Sequence, residues 1–340
     1  ETENEWLLSA DVLYNDLESA TYWFDQRCSV VDTSPDGRNV YDCSGAPEAI
    51  ILDSVDEGSS LLFAFSASKA WQTRFGNMDL FASYTHADVE DVGYGTSSTA
   101  TSNYSDFAAF DRQIPRTGTS RFEVEHLFKM RFNWSKEFFS GYETKVSVFG
   151  QTRTGQPYSY TFDENNACVL DKDDGVFGGR CARESRHDDA GHLLYVPTGP
   201  DDPLFSPASF GGDPAAQQAF FDFINSSELA QYAGRIAPAN ADNSPWSTIF
   251  DVRFQQELPA FNKNHRFRVF LDIENFGNLL NDDWGRIERT RYEYARQVVS
   301  AVINDGQYEY FDLNSEGRIK NLEVLRQSVW QLQFGLKYEF

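Results

Sequence analysis

The sequence predicts an all-β fold, a transmembrane antiparallel β-barrel, from its composition, its period-two alternation and the lengths of its connections. Its 340 residues include 29 Phe, 16 Tyr and 7 Trp beside 52 acidic residues, with a formal net charge of −23. Chains that cannot bury a core are poor in aromatic residues, so this composition excludes disorder. A barrel whose strands are apolar on one side and polar on the other accommodates both the aromatic residues and the charge.

Composition also excludes two other classes of protein. No stretch reaches the roughly 18 uninterrupted apolar residues that a membrane-spanning helix needs. The excess of 52 acidic over 29 basic residues argues against a nucleic-acid partner, because neutralising phosphates requires Lys and Arg. Residues 1–5 are mostly acidic and do not form a signal peptide, so we expect a mature chain or a piece of a longer one.

Eight segments alternate apolar and polar side chains with the period of a β-strand. The clearest is the last, whose apolar positions are Trp330, Leu332, Phe334, Leu336, Tyr338 and Phe340. Several segments are long enough to cross a bilayer obliquely, which takes about 9–11 residues. The predicted strands lie near 5–24, 60–71, 78–90, 120–134, 142–160, 246–258, 265–276 and 326–340.

The connections between these strands alternate between short and long. The short ones are 72–77, 135–141 and 259–265, and the long ones are 26–57, 93–117, 163–244 and 278–323. Outer-membrane barrels have short periplasmic turns and longer extracellular loops. The alternation therefore predicts the outer membrane of a Gram-negative bacterium, with both termini periplasmic and the long loops extracellular. The alternative is a soluble antiparallel sandwich with one solvated face, whose loops would be short.

The four cysteines all lie in long loops that we predict to be extracellular. Cys28 and Cys43 are in the first long loop, and Cys168 and Cys181 are in the third. Four cysteines allow three pairings, and we expect Cys28–Cys43 and Cys168–Cys181, which close each loop on itself. Disulfides persist outside the cytosol, so this pairing agrees with the predicted location.

The long loops carry most of the acidity, −17 of the net −23. An acidic mouth steers cationic ligands or metal complexes, although solubility alone also explains such loops. Two segments weakly resemble fragments of calcium loops: Asp171, Asp173 and Asp174 before Gly175, and Asp312, Asn314 and Glu316 before Gly317. Neither has a complete ligand set, so loop calcium is a weak expectation and no other cofactor is expected.

One loop segment has the pattern of a helix. Asp213 is a suitable N-cap, Pro214 suits the first helical position and Gly234 suits the end. The segment between them, 215–233, carries the apolar residues Phe220, Phe221, Ile224 and Leu229. We expect a short helix that either lines a ligand site or packs to stabilise a long loop.

No catalytic motif is present, and we expect no enzymatic activity. The chain has 5 His, namely His86, His126, His187, His192 and His265. None of them forms an HExxH motif or a helical metal pair, and neither a nucleophile elbow nor a Walker sequence occurs. His126 lies on the apolar face of its predicted strand, which favours an interfacial side chain over a catalyst. His187, Asp188, Asp189 and His192 form a His/Asp cluster in the third long loop, where a solvated loop is the default interpretation.

Several segments resemble TonB-dependent outer-membrane receptors, in particular the Oar-like group. The stretch from Asn243-Ser-Pro-Trp to Gln-Gln-Glu-Leu258 looks like a late barrel strand of that family. Phe270-Leu-Asp-Ile-Glu-Asn-Phe-Gly-Asn-Leu-Leu-Asn281 resembles its strand and N-x-x-N turn, and Gly155-Gln-Pro-Tyr-Ser-Tyr-Thr-Phe162 resembles another of its strands. The terminal aromatic residue, Phe340, resembles the signal read by the barrel-assembly machinery.

The resemblance implies a barrel of about 22 strands, of which eight would make up the C-terminal portion. This chain has neither the plug domain nor the TonB box of the family. The resemblance therefore implies that residues 1–340 are the barrel portion of a receptor for energy-coupled uptake. Its partners would be outer-membrane lipid, the rest of the receptor or a plug-bearing polypeptide, periplasmic TonB acting through that plug, and the barrel-assembly machinery.

On this hypothesis the extracellular loops bind the ligand. The candidate residues are Asp171, Asp173, Asp174, Asp188, Asp189, Trp284 and Tyr308. The alternative hypothesis is a self-contained eight-stranded outer-membrane barrel with a structural or adhesive role, in which side chains fill the interior.

Overall fold

The structure is a computed structural model, and more than half of it is β-strand. Strands make up 55% and helices 12%, and the sheets are mainly antiparallel. No helix among the described residues combines the length and the apolar character needed to cross a membrane. The described residues are 6–43, 49–93, 95–105, 107–139, 141–163, 177, 191–262, 265–291, 294–314 and 322–340.

Eight long strands form the main sheet as an antiparallel meander, in which each strand pairs with the next one along the chain. They are β1 (Leu7–Asp16), β2 (Ser59–Thr73), β3 (Gly76–Asp91), β4 (His126–Phe139), β5 (Tyr142–Arg153), β6 (Ser247–Pro259), β7 (Arg266–Glu274) and β8 (Gln331–Glu339). A two-residue strand, Gly118–Thr119, extends the sheet beside the end of β3. Among the described residues β1 and β8 do not pair, so the sheet is open and supports no particular barrel size.

The register aligns apolar side chains across all eight strands. In two neighbouring rows on the same face, Val12 lies opposite Phe63 and Phe65 lies opposite Tyr84. Because alternate residues point to opposite faces of a sheet, these pairs define one continuous surface, which we call the apolar face. Its members include Leu8, Val12, Phe63, Phe65, Leu80, Tyr84, Phe128, Phe132, Val146, Val148, Phe250, Phe254, Val269, Leu271, Leu332 and Phe334.

The opposite face of the sheet is polar and carries cross-strand ion pairs. Arg131 of β4 lies 3.3 Å from the Asp79 carboxylate of β3. Arg253 of β6 lies 3.3 Å from the Asp272 carboxylate of β7. We call this surface the polar face.

Four strand boundaries differ from the prediction, each at a turn of the chain. The predicted strand 326–340 begins only at Gln331, after the 3₁₀ turn Arg326–Ser328. The predicted strand 120–134 begins only at His126, since the Glu123 amide donates to the Ser120 carbonyl in a turn at 3.0 Å. The predicted strand 142–160 is interrupted near Gly155, where a Cβ would meet the Ser244 carbonyl oxygen at 2.0 Å. The predicted strand 5–24 ends at Asp16, and its remainder enters a separate hairpin.

The predicted alternation of connections is present in the structure. Short turns join β2 to β3, β4 to β5 and β6 to β7, whereas the other four connections are 17–58, 92–125, 154–246 and 275–330. The short turns therefore lie at one end of the sheet and the long connections at the other. The described parts of the four long connections fold together, and we call them the loop head.

The loop head has its own secondary structure. Antiparallel pairs join Ala20–Asp25 to Ile50–Val55, Ser29–Thr33 to Asn39–Asp42, Tyr195–Val196 to Arg235–Ile236, and Glu288–Thr290 to Leu322–Val324. A four-stranded sheet has the order Asp242–Asn243, Pro157–Phe162, Ala295–Asn304, Gln307–Phe311. The helices are α1 (Ala100–Ser105), α2 (Pro214–Asn225) and α3 (Phe276–Leu280), with 3₁₀ turns at Ser209–Gly212, Glu228–Tyr232 and Arg326–Ser328.

The buried hydrophobic core of the described chain lies in the loop head rather than against the main sheet. Phe162 and Tyr310 stack with ring centroids 6.2 Å apart, and Phe177 packs edge-on to Phe162. The fully buried side chains around them come from the third and fourth long connections, and include Tyr160, Leu194, Val196, Phe205, Phe220, Leu229, Val298 and Tyr308.

Helix α2 begins as predicted and ends early. The Asp213 side chain caps it by accepting a hydrogen bond from the Ala215 amide at 2.9 Å, with Pro214 in the first turn. The helix ends at Asn225, and the segment predicted to continue it forms the 3₁₀ turn Glu228–Tyr232. Its apolar residues Phe220, Phe221 and Ile224 are buried in the core, so the helix packs to stabilise the third long connection.

Candidate functional site

The first long connection is held by the predicted Cys28–Cys43 disulfide, which the structure confirms. The bond closes the hairpin that carries Tyr41, whose hydroxyl donates to the Asp111 carboxylate at 2.9 Å. Burial raises the pKa of Tyr41 to about 12, and the Asp111 carboxylate adds to this despite an opposing hydrogen bond from Asn39. Tyr41 therefore stays protonated at neutral pH and fastens the first connection to the second.

A buried guanidinium attaches the same hairpin to the third connection. The Arg38 side chain is 1% exposed and forms an ion pair with Asp36. Its Nη1 donates to the Leu193 carbonyl at 2.8 Å, and its guanidinium lies 4.0 Å from the centroid of the Phe177 ring. Burial alone would raise the pKa of Asp36, but the hydrogen bonds and charge of Arg38 outweigh it and lower that pKa.

A cavity of about 250 Å³ lies where the first three long connections meet. Its apolar walls include Trp23 from the first connection, and Phe107 and Ile114 from the second. The third connection contributes Asn240, whose amide nitrogen Nδ2 donates to the Thr119 carbonyl at 2.6 Å. A cavity of this kind, largely apolar with a few polar groups, is the usual form of a small-molecule site.

Most charged groups around the cavity are occupied by structural contacts. Arg112 donates from Nη1 to the carbonyl oxygens of Tyr104, Ser105 and Phe107 at 3.0, 3.2 and 3.1 Å. Arg116 differs, because in the described part of the chain it has neither an ion pair nor a hydrogen bond within reach. Its guanidinium instead lies 3.5 Å from the centroid of the Phe110 ring, which leaves its N–H groups available to a ligand.

A second, more open pocket of about 550 Å³ lies at the loop end of β6, beside the fourth connection. Trp246 and Trp284, both about half exposed, line it together with Asp283, Arg286 and Glu288. Arg286 pairs with Glu288 at 2.9 Å and lies 3.6 Å from Asp283. The pocket therefore offers two indole rings and a largely neutralised charge cluster.

Asn275 organises the segment beside this second pocket. It adopts a left-handed conformation with φ 51°, and its Nδ2 donates to the carbonyls of Gly285 and Ser328 at 2.8 and 2.7 Å. Gly285 has φ +65°, and a Cβ there would meet the Asn275 Oδ1 atom at 1.8 Å. Asn278 then donates to the Trp284 carbonyl at 3.0 Å, so the pair of asparagines sets the position of Trp284.

The predicted ligand-binding residues have different placements. Trp284 lies in the second pocket. Tyr308 is fully buried in the core of the loop head, where it packs against other aromatic residues, and its contact with a ligand stays a prediction. Asp171, Asp173, Asp174, Asp188 and Asp189 lie outside the described residues, as do Cys168 and Cys181. Phe340, the predicted assembly signal, is 92% exposed.

The loop-calcium expectation also lies partly outside the described residues. Glu316 and Gly317 are not described, and Asp312 and Asn314 are. The backbone N–H of Asn314 donates to the Val298 carbonyl at 2.8 Å. Within the described ranges, Asp312 belongs to no cluster of three or more His, Cys, Asp or Glu side chains within metal-binding reach of one another.

Sequence reasoning missed the 250 Å³ cavity, because its lining comes from three segments that are far apart in the chain. Arg116 follows Ile114 and Pro115 in a segment without regular periodicity. Beyond the proline that precedes it, no local pattern in the sequence marks Arg116.

Comparisons with protein-family models, with curated proteins and with solved structures find no match for this chain.

Proposed function

We propose that the main sheet is part of the wall of an outer-membrane β-barrel, and that the loop head is its extracellular ligand-binding part. The observation that carries this proposal is the exposure of the apolar face. Phe63, Phe65, Phe128, Phe254 and Phe334 are all large, apolar and exposed. Soluble monomers rarely expose an apolar patch larger than a few hundred Å².

A bilayer is the simplest cover for such a surface. Transmembrane strands alternate between apolar side chains that face lipid and polar side chains that face the lumen. The ion pairs Asp79–Arg131 and Arg253–Asp272 lie on the polar face, where a wet lumen tolerates them. A soluble sandwich would need a second layer over the apolar face, and none is formed by the described residues.

On this proposal the wall is completed by further strands, and not by closure of the eight strands on themselves. Closure with eight strands would require β1 to pair with β8, and in the described part of the chain each pairs with a single neighbour. Further strands would then complete the wall, as the sequence resemblance to TonB-dependent receptors implies. On this proposal, uptake would be driven through a plug by the periplasmic TonB complex.

The loop head supports a binding role because it is ordered around the 250 Å³ cavity rather than being merely hydrated. The disulfide Cys28–Cys43 and the buried pair Asp36–Arg38 brace the first connection. Hydrogen bonds from Tyr41 to Asp111 and from Arg38 to the Leu193 carbonyl then join it to the second and third connections. Such preorganisation lowers the entropic cost of ordering the site when a ligand binds. A ligand that suits this cavity has an apolar body and a hydrogen-bond acceptor that faces the Arg116 guanidinium.

The sidedness of the two ends of the sheet tests the proposal. One epitope is inserted at the exposed hairpin turn Asp305–Gly306 of the loop head, and another at the exposed turn Arg74–Phe75 between β2 and β3. The chain is exported in Gram-negative cells, and antibody binding is measured before and after the outer membrane is permeabilised. We expect the first epitope to be accessible on intact cells and the second only after permeabilisation. Equal accessibility of the two epitopes would refute the proposal.

A further inference from the structure

Two histidines and a glutamate meet at the loop end of β3 and β4. His86 of β3 lies directly opposite His126, the first residue of β4. Their rings stack with centroids 5.1 Å apart and planes inclined by 29°. A bend at Glu125, immediately before β4, brings its carboxylate to the same side, with Oε1 3.4 Å from Nε2 of His126.

One potential ligand atom from each of His86, Glu125 and His126 lies within 4.8 Å of the other two. In a tetrahedral zinc site, ligand atoms about 2.0–2.2 Å from the metal are roughly 3.3 Å from one another. The 3.4 Å between Glu125 and His126 already matches that spacing. Closing the site therefore requires the remaining ligand atoms, which lie within 4.8 Å of one another, to approach by at most about 1.5 Å.

The hydrogen bonds on the other ring nitrogens favour metal binding. Nδ1 of His86 lies 3.1 Å from the Glu125 carbonyl oxygen, which can only accept, so Nδ1 carries the proton and Nε2 is free. Nδ1 of His126 lies 2.9 Å from the Tyr84 hydroxyl. That hydroxyl can accept a hydrogen bond from Nδ1–H, and in this tautomer Nε2 of His126 is unprotonated as well. Metal-binding histidines usually have their second nitrogen held in this way by an oxygen acceptor.

We propose that His86, Glu125 and His126 form a binding site for a divalent transition metal, with zinc as the ion that suits it. Two imidazoles and one carboxylate are a ligand set that zinc uses, and three protein ligands leave a position for water or an external ligand. The site is half-exposed, so an ion reaches it without opening the fold. A bound ion would fasten β3 to β4 where the second long connection, 92–125, leaves and rejoins the sheet.

All contacts of the site are within the chain, and the site lies at the loop end of the sheet, beside the second long connection. Trp246 stacks on His126 with centroids 5.8 Å apart and planes 16° apart. This indole places a fluorescent reporter beside the site.

Zn²⁺ titration of the metal-free full chain, folded in detergent micelles, tests the site by calorimetry. We expect one saturable site that is lost in His126→Ala and in the size-conserving His86→Gln. Tyr84→Phe should weaken binding by about 10-fold, because it removes only the group that holds His126. His265→Ala is the matched control, since His265 lies at the other end of the sheet against Tyr338, and its affinity should equal that of the wild-type chain.

A second measurement on the wild-type chain identifies the ligands directly, so the result does not depend on variants that fold poorly. Cu²⁺ bound to the wild-type chain should give an electron paramagnetic resonance spectrum with coupling to two imidazole nitrogens, reduced to one in His86→Gln. Non-saturable Zn²⁺ uptake, or a site that survives in both His86→Gln and Glu125→Gln, would overturn the proposal. Loss of the site only in His187→Ala would place the metal in the third connection instead, and would also overturn it.

Discussion

The main sheet and the loop head use the same aromatic residues in opposite ways. In the loop head, Phe162, Phe177 and Tyr310 are buried against one another. On the main sheet, Phe65, Phe128 and Phe334 are exposed in a continuous surface. The head has the interior of an ordinary globular domain, whereas the sheet has no described second layer over its apolar face. The average composition of the chain therefore does not show which aromatic residues are buried, because it combines two regions with different surroundings.

The comparison also concerns charge. Pairs on the polar face, such as Arg131–Asp79 and Arg253–Asp272, are at least partly exposed. The Asp36–Arg38 pair in the head is almost fully buried. Exposed pairs typically contribute about 0–1 kcal/mol, whereas breaking a buried pair costs about 3–5 kcal/mol. The head should therefore depend on single residues more than the sheet does.

Phe162→Ala should give the largest effect on the head. Phe162 is fully buried among Phe177, Tyr308 and Tyr310, so truncation leaves a cavity and costs about 3–5 kcal/mol. Limited proteolysis should then cut the third connection, while the strands of the main sheet remain protected. Phe63→Ala on the apolar face is the control and should leave the head resistant. Equal sensitivity of the two variants would show that the regions do not differ as described.

Asp36→Asn should destabilise the head by about 3 kcal/mol, because it leaves the buried Arg38 guanidinium without its counter-charge. The pKa of Asp36 is lowered in the folded chain. Its ion pair therefore contributes stability above the unfolded pKa of about 3.9, and that contribution is lost as the pH falls through the folded value. Unfolding of the head is followed by tyrosine fluorescence between about pH 2 and pH 6, roughly 2 pH units on either side of the unfolded pKa. The stability of the head should fall at the acid end of this range.

The acid loss should be absent in Asp36→Asn. Asp32, on the exposed strand of the same hairpin, supplies the matched control Asp32→Asn. We expect this control to keep the pH dependence of the wild-type chain. A variant Asp36→Asn with an unchanged acid profile would assign the transition to other carboxyl groups.

Asn275→Ala should have a smaller effect, confined to the segment that positions Trp284. The carbonyls of Gly285 and Ser328 would lose their donor, at a cost of about 1–3 kcal/mol. Thermal unfolding and Trp fluorescence would detect it. The exposed Asn304→Ala is the control and should change stability by less than about 0.5 kcal/mol. If the two variants behave alike, Asn275 does not organise the fourth connection.

The sequence predicted the sheet better than the head, for a physical reason. Period-two alternation and connection length are local features, and they located all eight strands, including β8 with Leu332, Phe334 and Leu336. The predicted disulfide Cys28–Cys43 also depends on short sequence separation. Boundaries were missed where a turn interrupts the alternation, as at Glu123 and Gly155.

The head could not be predicted because its contacts are between distant segments. Pro157–Phe162 pairs in parallel with Ala295–Asn304, and no local pattern encodes that partner. Tyr308 is polar enough to suggest a binding role, yet it lies in the core. Trp284 is about half exposed in the second pocket, and its contact with a ligand stays a prediction. The pairing of His86 with His126 had a signal, since both fall on the apolar side of adjacent strands.

The central claim is that the apolar face of the sheet contacts lipid, and a matched pair of arginines on β8 tests it most directly. Phe334 is on the apolar face and is 68% exposed, whereas its neighbour Gln333 is on the polar face opposite Asp272. Folding free energy is measured in lipid vesicles for Phe334→Arg and Gln333→Arg. We predict a loss of about 2–4 kcal/mol for the first variant and less than about 1 kcal/mol for the second. Equal stability of the two variants would contradict the account.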